Sequence, residues 1–255
     1  MYEIGGILLI DYDSYVMSIK MKLIYSFMAA IFIFAVSYLF YRNILFSTIV
    51  CPFGIMYLKV KQKQIITKRR KELNLQFKDL LISLAASLSA GRALENAFES
   101  SLEDLFVLYP SDEAYIIKET KVIIHKLSYN ITVEEAIVDF AKRSEIEDIM
   151  NFADVISICK RTGGNLIDAL KNSAAIITDK IEMKQEIDTV LSARKFEQKI
   201  LNFIPIGMIL ILSITASEYI EPVFSTFQGR VAMTVSLILL TVSFCISNKI
   251  MNIKM

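Results

Sequence analysis

The sequence predicts an all-α membrane protein: four transmembrane helices in two pairs flanking a cytoplasmic antiparallel helical bundle. Three observations predict it. Charge is segregated: of 28 basic and 27 acidic residues, 43 lie between Lys61 and Lys199, leaving 12 for the rest of the chain. Hydropathy is segregated the opposite way, because the mean hydropathy of +0.48 comes from the two arms. Between the arms the apolar period is 3–4, with the single proline Pro110 and no alternating strand pattern. A middle that is about 31% charged beside arms that are about 10% charged is not one soluble domain, for which about 25% throughout is usual. The net charge of +1 and the 54% apolar content are averages over unlike parts. Their segregation argues against a fully soluble enzyme, a disordered chain and a basic nucleic-acid binder.

The first residues, MYEIGGILLIDYD, carry Glu3, no basic stretch, and only a short apolar run from Ile4 to Ile10. That is a poor signal peptide, and residues 1–22 read as a cytoplasmic lead-in at the membrane surface. A span needs about 20 apolar residues, with a range of about 17–25. Leu23–Tyr41 supplies 19 uncharged residues and Ile44–Leu58 supplies 15, after an interruption at Arg42 and Asn43. The second run is short, but Lys59 can snorkel. Its Pro52 and Gly54 are tolerated where neighbouring helices satisfy the freed carbonyl. These two runs form a pair over residues 23–60. Ile200–Ala216, with Pro205 inside it, and Val231–Ser247 are two further runs without a charge. They form the second pair, over residues 200–255 with a short tail.

Basic residues near span ends fix orientation. Residues 59–71, KVKQKQIITKRRK, hold seven Lys or Arg and no acid, and Lys20, Lys22, Lys249 and Lys254 lie at the same level. The opposite side has Arg42 in one turn, and Arg230 outnumbered by Glu218 and Glu221 in the other. Both termini and the central domain, residues 61–199, are therefore expected in the cytoplasm of a multi-pass cell-membrane protein.

Within that domain one arrangement occurs three times. Gly91-Arg-Ala-Leu94-Glu-Asn-Ala97-Phe98, Asn130-Ile-Thr-Val133-Glu-Glu-Ala136-Ile137 and Gly163-Gly164-Asn165-Leu166-Ile-Asp-Ala169-Leu170 share it. Each opens on Gly or Asn, which enter the left-handed region cheaply and end helices. Each continues with an apolar residue three on, alanine six on and a large apolar residue seven on. Thr132 with Glu135 reads as a capping box and Asn165 suits an N-cap, whereas Ala93 does not. The pattern predicts helices over 72–90, 93–108, 112–128, 132–143, 145–161 and 165–199, paired as three hairpins. Common ancestry and turn chemistry explain the recurrence equally well. The last helix, about 50 Å long at about 1.5 Å per residue, leads into the third span, and so could carry a push on the domain into the membrane.

Chemistry-bearing patterns are sparse. His125 is the one histidine, so a histidine metal site or triad lacks its parts. No GxxxxGK[ST] loop occurs, and Gly163-Gly164 is followed by Asn165 where such a loop needs lysine. The acidic pairs Glu134/Glu135 and Glu147/Asp148 are adjacent and diverge on a helix. The predicted spans contain no Asp, Glu, Lys or Arg, the usual marks of ion pathways. Cys51, Cys159 and Cys245 are far apart and read as small apolar residues. No catalytic, cofactor-binding or metal residue is expected, and neither an enzyme nor an ion-coupled transporter.

The segments LNLQFKDLLISLAASLSAGRALENAF (73–98), CKRTGGNLIDAL (159–170) and ARKFEQKILNFIPIGMILILSITASEYIEPVF (193–224) resemble the type II secretion system F domain family (GspF/TadB/TadC). The likeness is in particular to the short TadB-like platform proteins of Flp pilus assembly, and it runs from about residue 20 to the C-terminus. It implies an inner-membrane platform that couples a hexameric cytoplasmic secretion ATPase to pilin assembly. Longer relatives carry two copies of the cytoplasmic domain. The single copy here implies a second, TadC-like platform protein as partner, in a homo- or hetero-oligomer. The resemblance carries over no catalytic residue.

Gly91, Asn130, Gly163, Gly164 and Asn165 are then structural turns. Arg69, Arg70, Lys71, Arg92 and Arg161 are candidate contacts to an acidic partner surface. Membrane lipid for the first three and solvent for the other two serve as well. A membrane signalling scaffold is the rival reading. It is disfavoured because the longest stretch expected outside, Ser217–Arg230, is too short for a ligand domain.

Overall fold

The computed structural model describes residues 2–4, 7–9, 12, 17–50, 52, 54, 56–162 and 166–251. It is helix-rich: α1 (Ile19–Tyr41), α2 (Ile44–Val50), α3 (Met56–Ser89), α4 (Leu94–Leu108), α5 (Tyr115–Ser128), α6 (Val133–Ser144), α7 (Glu147–Thr162), α8 (Leu166–Thr215), α9 (Ser217–Ser225) and α10 (Phe227–Met251). A small antiparallel hairpin of β1 (Tyr2–Ile4) and β2 (Ile7–Leu9) precedes them, with Glu3 opposite Leu8. The chain divides into two compact units, one of Met1–Val16 with Lys63–Met183 and one of Met17–Gln62 with Lys184–Met255.

The first unit is an antiparallel helical bundle built on α3. Leu73, Phe77, Leu80, Leu81, Leu84 and Leu88 of α3 are buried at the 3–4 spacing of one helical face. Phe77 meets Phe140 and Phe152 edge-on at 6.1 and 5.6 Å between ring centroids. Polar contacts fix its register: Ser83 Oγ donates to Asp104 at 2.5 Å, and the Tyr109 hydroxyl donates to Asp79 at 2.5 Å. Gln76, buried, accepts from the Ile116 backbone N–H at 3.0 Å. Ala97, Phe98, Ala136, Ile137 and Leu170, the small and large apolar positions of the repeated arrangement, are buried in this core.

The turns follow from backbone chemistry. Gly91 has φ +80° and Asn130 φ +61°. Behind each, two N–H groups return to the last carbonyls of the helix: Gly91 to Leu88 and Arg92 to Ser87, then Asn130 to Leu127 and Ile131 to Lys126. This pairing satisfies orphaned carbonyls at a helix end. Thr132 Oγ1 accepts from the Glu135 N–H at 3.3 Å, whereas Ala93 caps without a side chain. Gly163, Gly164 and Asn165 lie outside the described residues.

One expectation changes here. Residues 1–22 read as a lead-in at the membrane surface, but Tyr12 is 1% exposed within the bundle core. Its ring lies edge-on to Tyr115 at 5.7 Å, and its N–H donates to the Arg143 carbonyl at 3.2 Å. The aromatic ring with a polar tip finds both an apolar wall and a hydrogen-bond partner there.

The second unit holds three helices long and apolar enough to cross a membrane: Ile19–Tyr41, the later part of Ile167–Thr215, and Phe227–Ser247. Their apolar side chains are widely exposed, Leu23, Phe27, Phe203 and Leu239 among them. Exposed apolar surface of this extent suits a bilayer, and the unit is compatible with a multi-pass membrane protein. The second expected run, Ile44–Leu58, is not one helix: α2 stops at Val50, Pro52 follows, and α3 begins at Met56. Proline removes a donor from the helical ladder. The interrupted segment still returns along α1, since a Cβ on Gly54 would sit 3.1 Å from Ala30 N and 3.3 Å from Ala29 C. Lys61 Nζ lies 5.3 Å from the centre of the Tyr25 ring.

At the other end of the unit, Phe40, Phe224 and Met233 form a small core with Ile209 and Leu237 packed on it. The Tyr41 hydroxyl bonds Thr234 at 3.1 Å, and Arg42 stacks 5.0 Å over Phe224. Arg230 Nε donates to the Phe224 carbonyl at 3.0 Å. Gly229 lets α10 close on α9, because a Cβ there would meet Val223 Cα at 2.6 Å.

Candidate functional site

The most developed polar constellation is an ionic cluster within the bundle. α5 presents Glu119 from its apolar face, where Ile116, Thr120 and Ile123 are also buried. α6 presents Asp139 and Arg143 four residues apart, hence on one face. Arg143 grips Glu119 with both ends of its fork, Nη1 to Oε1 at 2.9 Å and Nη2 to Oε2 at 2.6 Å. Its Nε donates to Asp139 Oδ2 at 2.9 Å, and Lys126 Nζ reaches the same oxygen at 2.5 Å. The Tyr12 hydroxyl completes the set by donating to Glu119 Oε1 at 3.0 Å.

Two acids and two bases cancel, and the bidentate geometry is the strong form of such a pair. Burial, with the Glu119 carboxylate beside it, pushes the Tyr12 phenol well above its ordinary range. Burial alone would lower Arg143 and raise Asp139. The bonds from Glu119 and Asp139 hold Arg143 up, and those from Lys126 and Arg143 hold Asp139 below the usual carboxylate range. Arg143 and Asp139 are thereby locked in their ionised forms, and the Tyr12 phenol in its neutral one. This is the signature of a structural clamp joining Tyr12, α5 and α6.

A second cluster joins α3, α7 and α8. Asn74 Nδ2 donates to Asp148 Oδ2 at 2.9 Å, and Lys180 Nζ reaches Asp148 at 2.6 Å and Glu147 at 3.3 Å. The bond to Asp148 raises Lys180 above the ordinary lysine range. Among the described residues no three His, Cys, Asp or Glu are grouped to hold a metal ion.

The sequence-predicted contact residues fall into two separate places. Arg69 and Arg70 are half-buried and Lys71 exposed on α3. Arg70 is committed to the bundle through Glu145 at 2.8 Å. Arg92 and Arg161 are exposed at the opposite end of the bundle, which also carries the turns at Gly91 and Asn130. Arg92 donates to Ser100 Oγ, and Arg161 Nε to its own helix at Ser157 O, 3.3 Å. About 20 residues of α3 at about 1.5 Å each put about 30 Å between the two groups, so they do not make one patch. Tyr12, Glu119 and Arg143 escaped the sequence reading. The available signal was an acid at a core position of α5, together with a basic residue four places after an acid on α6. Compared with known proteins, the chain matches no family model, no curated protein and no solved structure.

Proposed function

We propose that the protein is an inner-membrane platform of a Tad/Flp-type pilus or type II secretion-like machine. In this reading its bundle receives a hexameric cytoplasmic ATPase and its apolar helices assemble with pilin and a second platform protein. The observation that carries the reading is α8, a single 50-residue helix whose first part belongs to the bundle and whose last part is apolar enough to cross a membrane. A continuous helix passes displacement along its axis, as a coupling element between ATPase and filament requires. The ionic clusters support the reading as well, because they brace the bundle that would bear the load. In the same reading the chain crosses four times in two pairs, with α2 and the start of α3 as the second crossing, and the bundle and both termini face the cytoplasm.

Detergent extraction under native promoter control, followed by affinity purification of the full chain, tests the proposal. A hexameric ATPase and a second multi-span protein in stoichiometric amount are expected. A kinase or a transported solute in their place would overturn it in favour of a signalling scaffold or a transporter subunit.

A further inference from the structure

Near α9, Ile209 of α8 and Leu237 of α10 both pack on the small core of Phe40, Phe224 and Met233. Further from α9 they part around a cleft of about 410 Å³. Its polar lining comes from Arg194, Glu197, Gln198 and Asn202 of α8 and from Ser243 and Ser247 of α10. Steps of four residues keep Arg194, Gln198 and Asn202 on one helical face, and the two serines on another.

Three features specify an occupant. The cleft lies where both apolar runs end, beside Lys199 and Lys249, so its depth is that of lipid headgroups on the basic, cytoplasmic side. Asn202, Ser243 and Ser247 hold no side-chain hydrogen bond among the described residues. Being partly or fully exposed at that depth, they are open to hydrogen-bond a headgroup. At the rim one cation and one anion stand side by side, Arg194 Nη1 and Glu197 Oε2 being 3.0 Å apart and both largely exposed.

We infer that the cleft binds the headgroup of a phosphatidylethanolamine. Arg194, Asn202 and the serine hydroxyls take the phosphate, and Glu197 takes the primary ammonium. The acyl chains run past Leu201, Ile204 and Met208, which are exposed on α8. Phosphatidylglycerol offers Glu197 no cation, and the quaternary ammonium of phosphatidylcholine cannot donate to it. Such binding needs the apolar helices in a bilayer, not the coupling role, and carbonate extraction of membranes checks that insertion separately.

The test is native mass spectrometry of the full chain in detergent, titrated in turn with each of the three phospholipids. Wild type is expected to retain phosphatidylethanolamine about three-fold more than the others, the scale of an exposed charge pair. Arg194→Ala should lower retention of phosphatidylethanolamine and phosphatidylglycerol alike, whereas Glu197→Gln should make the two equal. Ser247→Leu, which fills the cleft, should lower retention of all three with helicity and elution volume unchanged. Equal retention by wild type, or a preference that survives Glu197→Gln, would overturn the assignment. So would a disulfide from Ser247→Cys to another chain in membranes, tested with the three native cysteines replaced, since a protein helix would then occupy the cleft.

Discussion

At the scale of single residues, the bundle depends most on the pairing of Glu119 with Arg143. Removing one partner of a buried pair strands the other charge, at a cost of about 3–5 kcal/mol. Glu119→Ala is therefore expected to lower the denaturant midpoint of the full chain sharply. Tyr12→Phe deletes one hydrogen bond while Arg143 still holds Glu119, and should cost about 1–2 kcal/mol. A Tyr12→Phe loss as large as that of Glu119→Ala would contradict the geometry. Asp139 gives a pH dependence of definite sign. Its folded value is depressed, so its contribution is complete above the unfolded value of about 3.9 and is lost as pH falls through the folded one. Melting temperatures from pH 7 to pH 3 should fall more steeply for wild type than for Asp139→Asn. The sequence carries only a faint trace of this, an acid at an apolar position of α5 and the Asp139/Arg143 spacing on α6, because periodicity by itself assigns a charged residue on a helix to solvent. Only the packed neighbours reveal that Glu119 points inward.

At the scale of elements, α4 and α6 are legible nearly to the residue, whereas α3, expected from 72, begins at Met56. Helices expected over 93–108 and 132–143 are found at Leu94–Leu108 and Val133–Ser144. Gly91, Asn130 and Thr132 announce those ends through backbone chemistry that needs no tertiary information. Hydropathy misjudges the short run from Ile44 as a single helix, because it counts apolar residues and ignores the donor that Pro52 lacks. β1 and β2, three residues each, are too short for a period to register. Two elements carry predictions. Gly229→Ala should loosen α9 from α10 by about 1–3 kcal/mol, the cost of forcing atoms into a filled contact, with lower thermal stability in detergent. Gln185→Pro should interrupt α8, at about 3 kcal/mol or more, and, in the proposed platform role, abolish filament assembly with the protein still made and inserted. Normal assembly in that variant would remove the case for α8 as a coupling element.

At the scale of the whole molecule, the confinement of 43 charges to the stretch from Lys61 to Lys199 is the property from which the division into apolar arms and a polar middle follows, and the Lys/Arg bias at the span ends then gives the expected orientation. It is readable because the energetic difference between a charge in water and in hydrocarbon exceeds any local preference. Cysteines introduced at Lys68 and at Glu221, one at a time in a cysteine-free chain, should react from opposite faces of sealed vesicles. Labelling of both from one face would contradict the paired crossings.

The break at Pro52 bears on how the protein enters its membrane. α2 has seven residues, about 10 Å of helix at about 1.5 Å per residue, against a hydrocarbon core of about 30 Å. Such a segment cannot partition by itself. In the proposed four-crossing topology it is carried in by α1, against which Gly54 fits so closely that a methyl group would press on the backbone of Ala29 and Ala30. In that topology insertion runs through a hairpin intermediate, and Gly54→Leu is expected to trap a chain whose first segment is inserted and whose return segment remains accessible to protease on the far side.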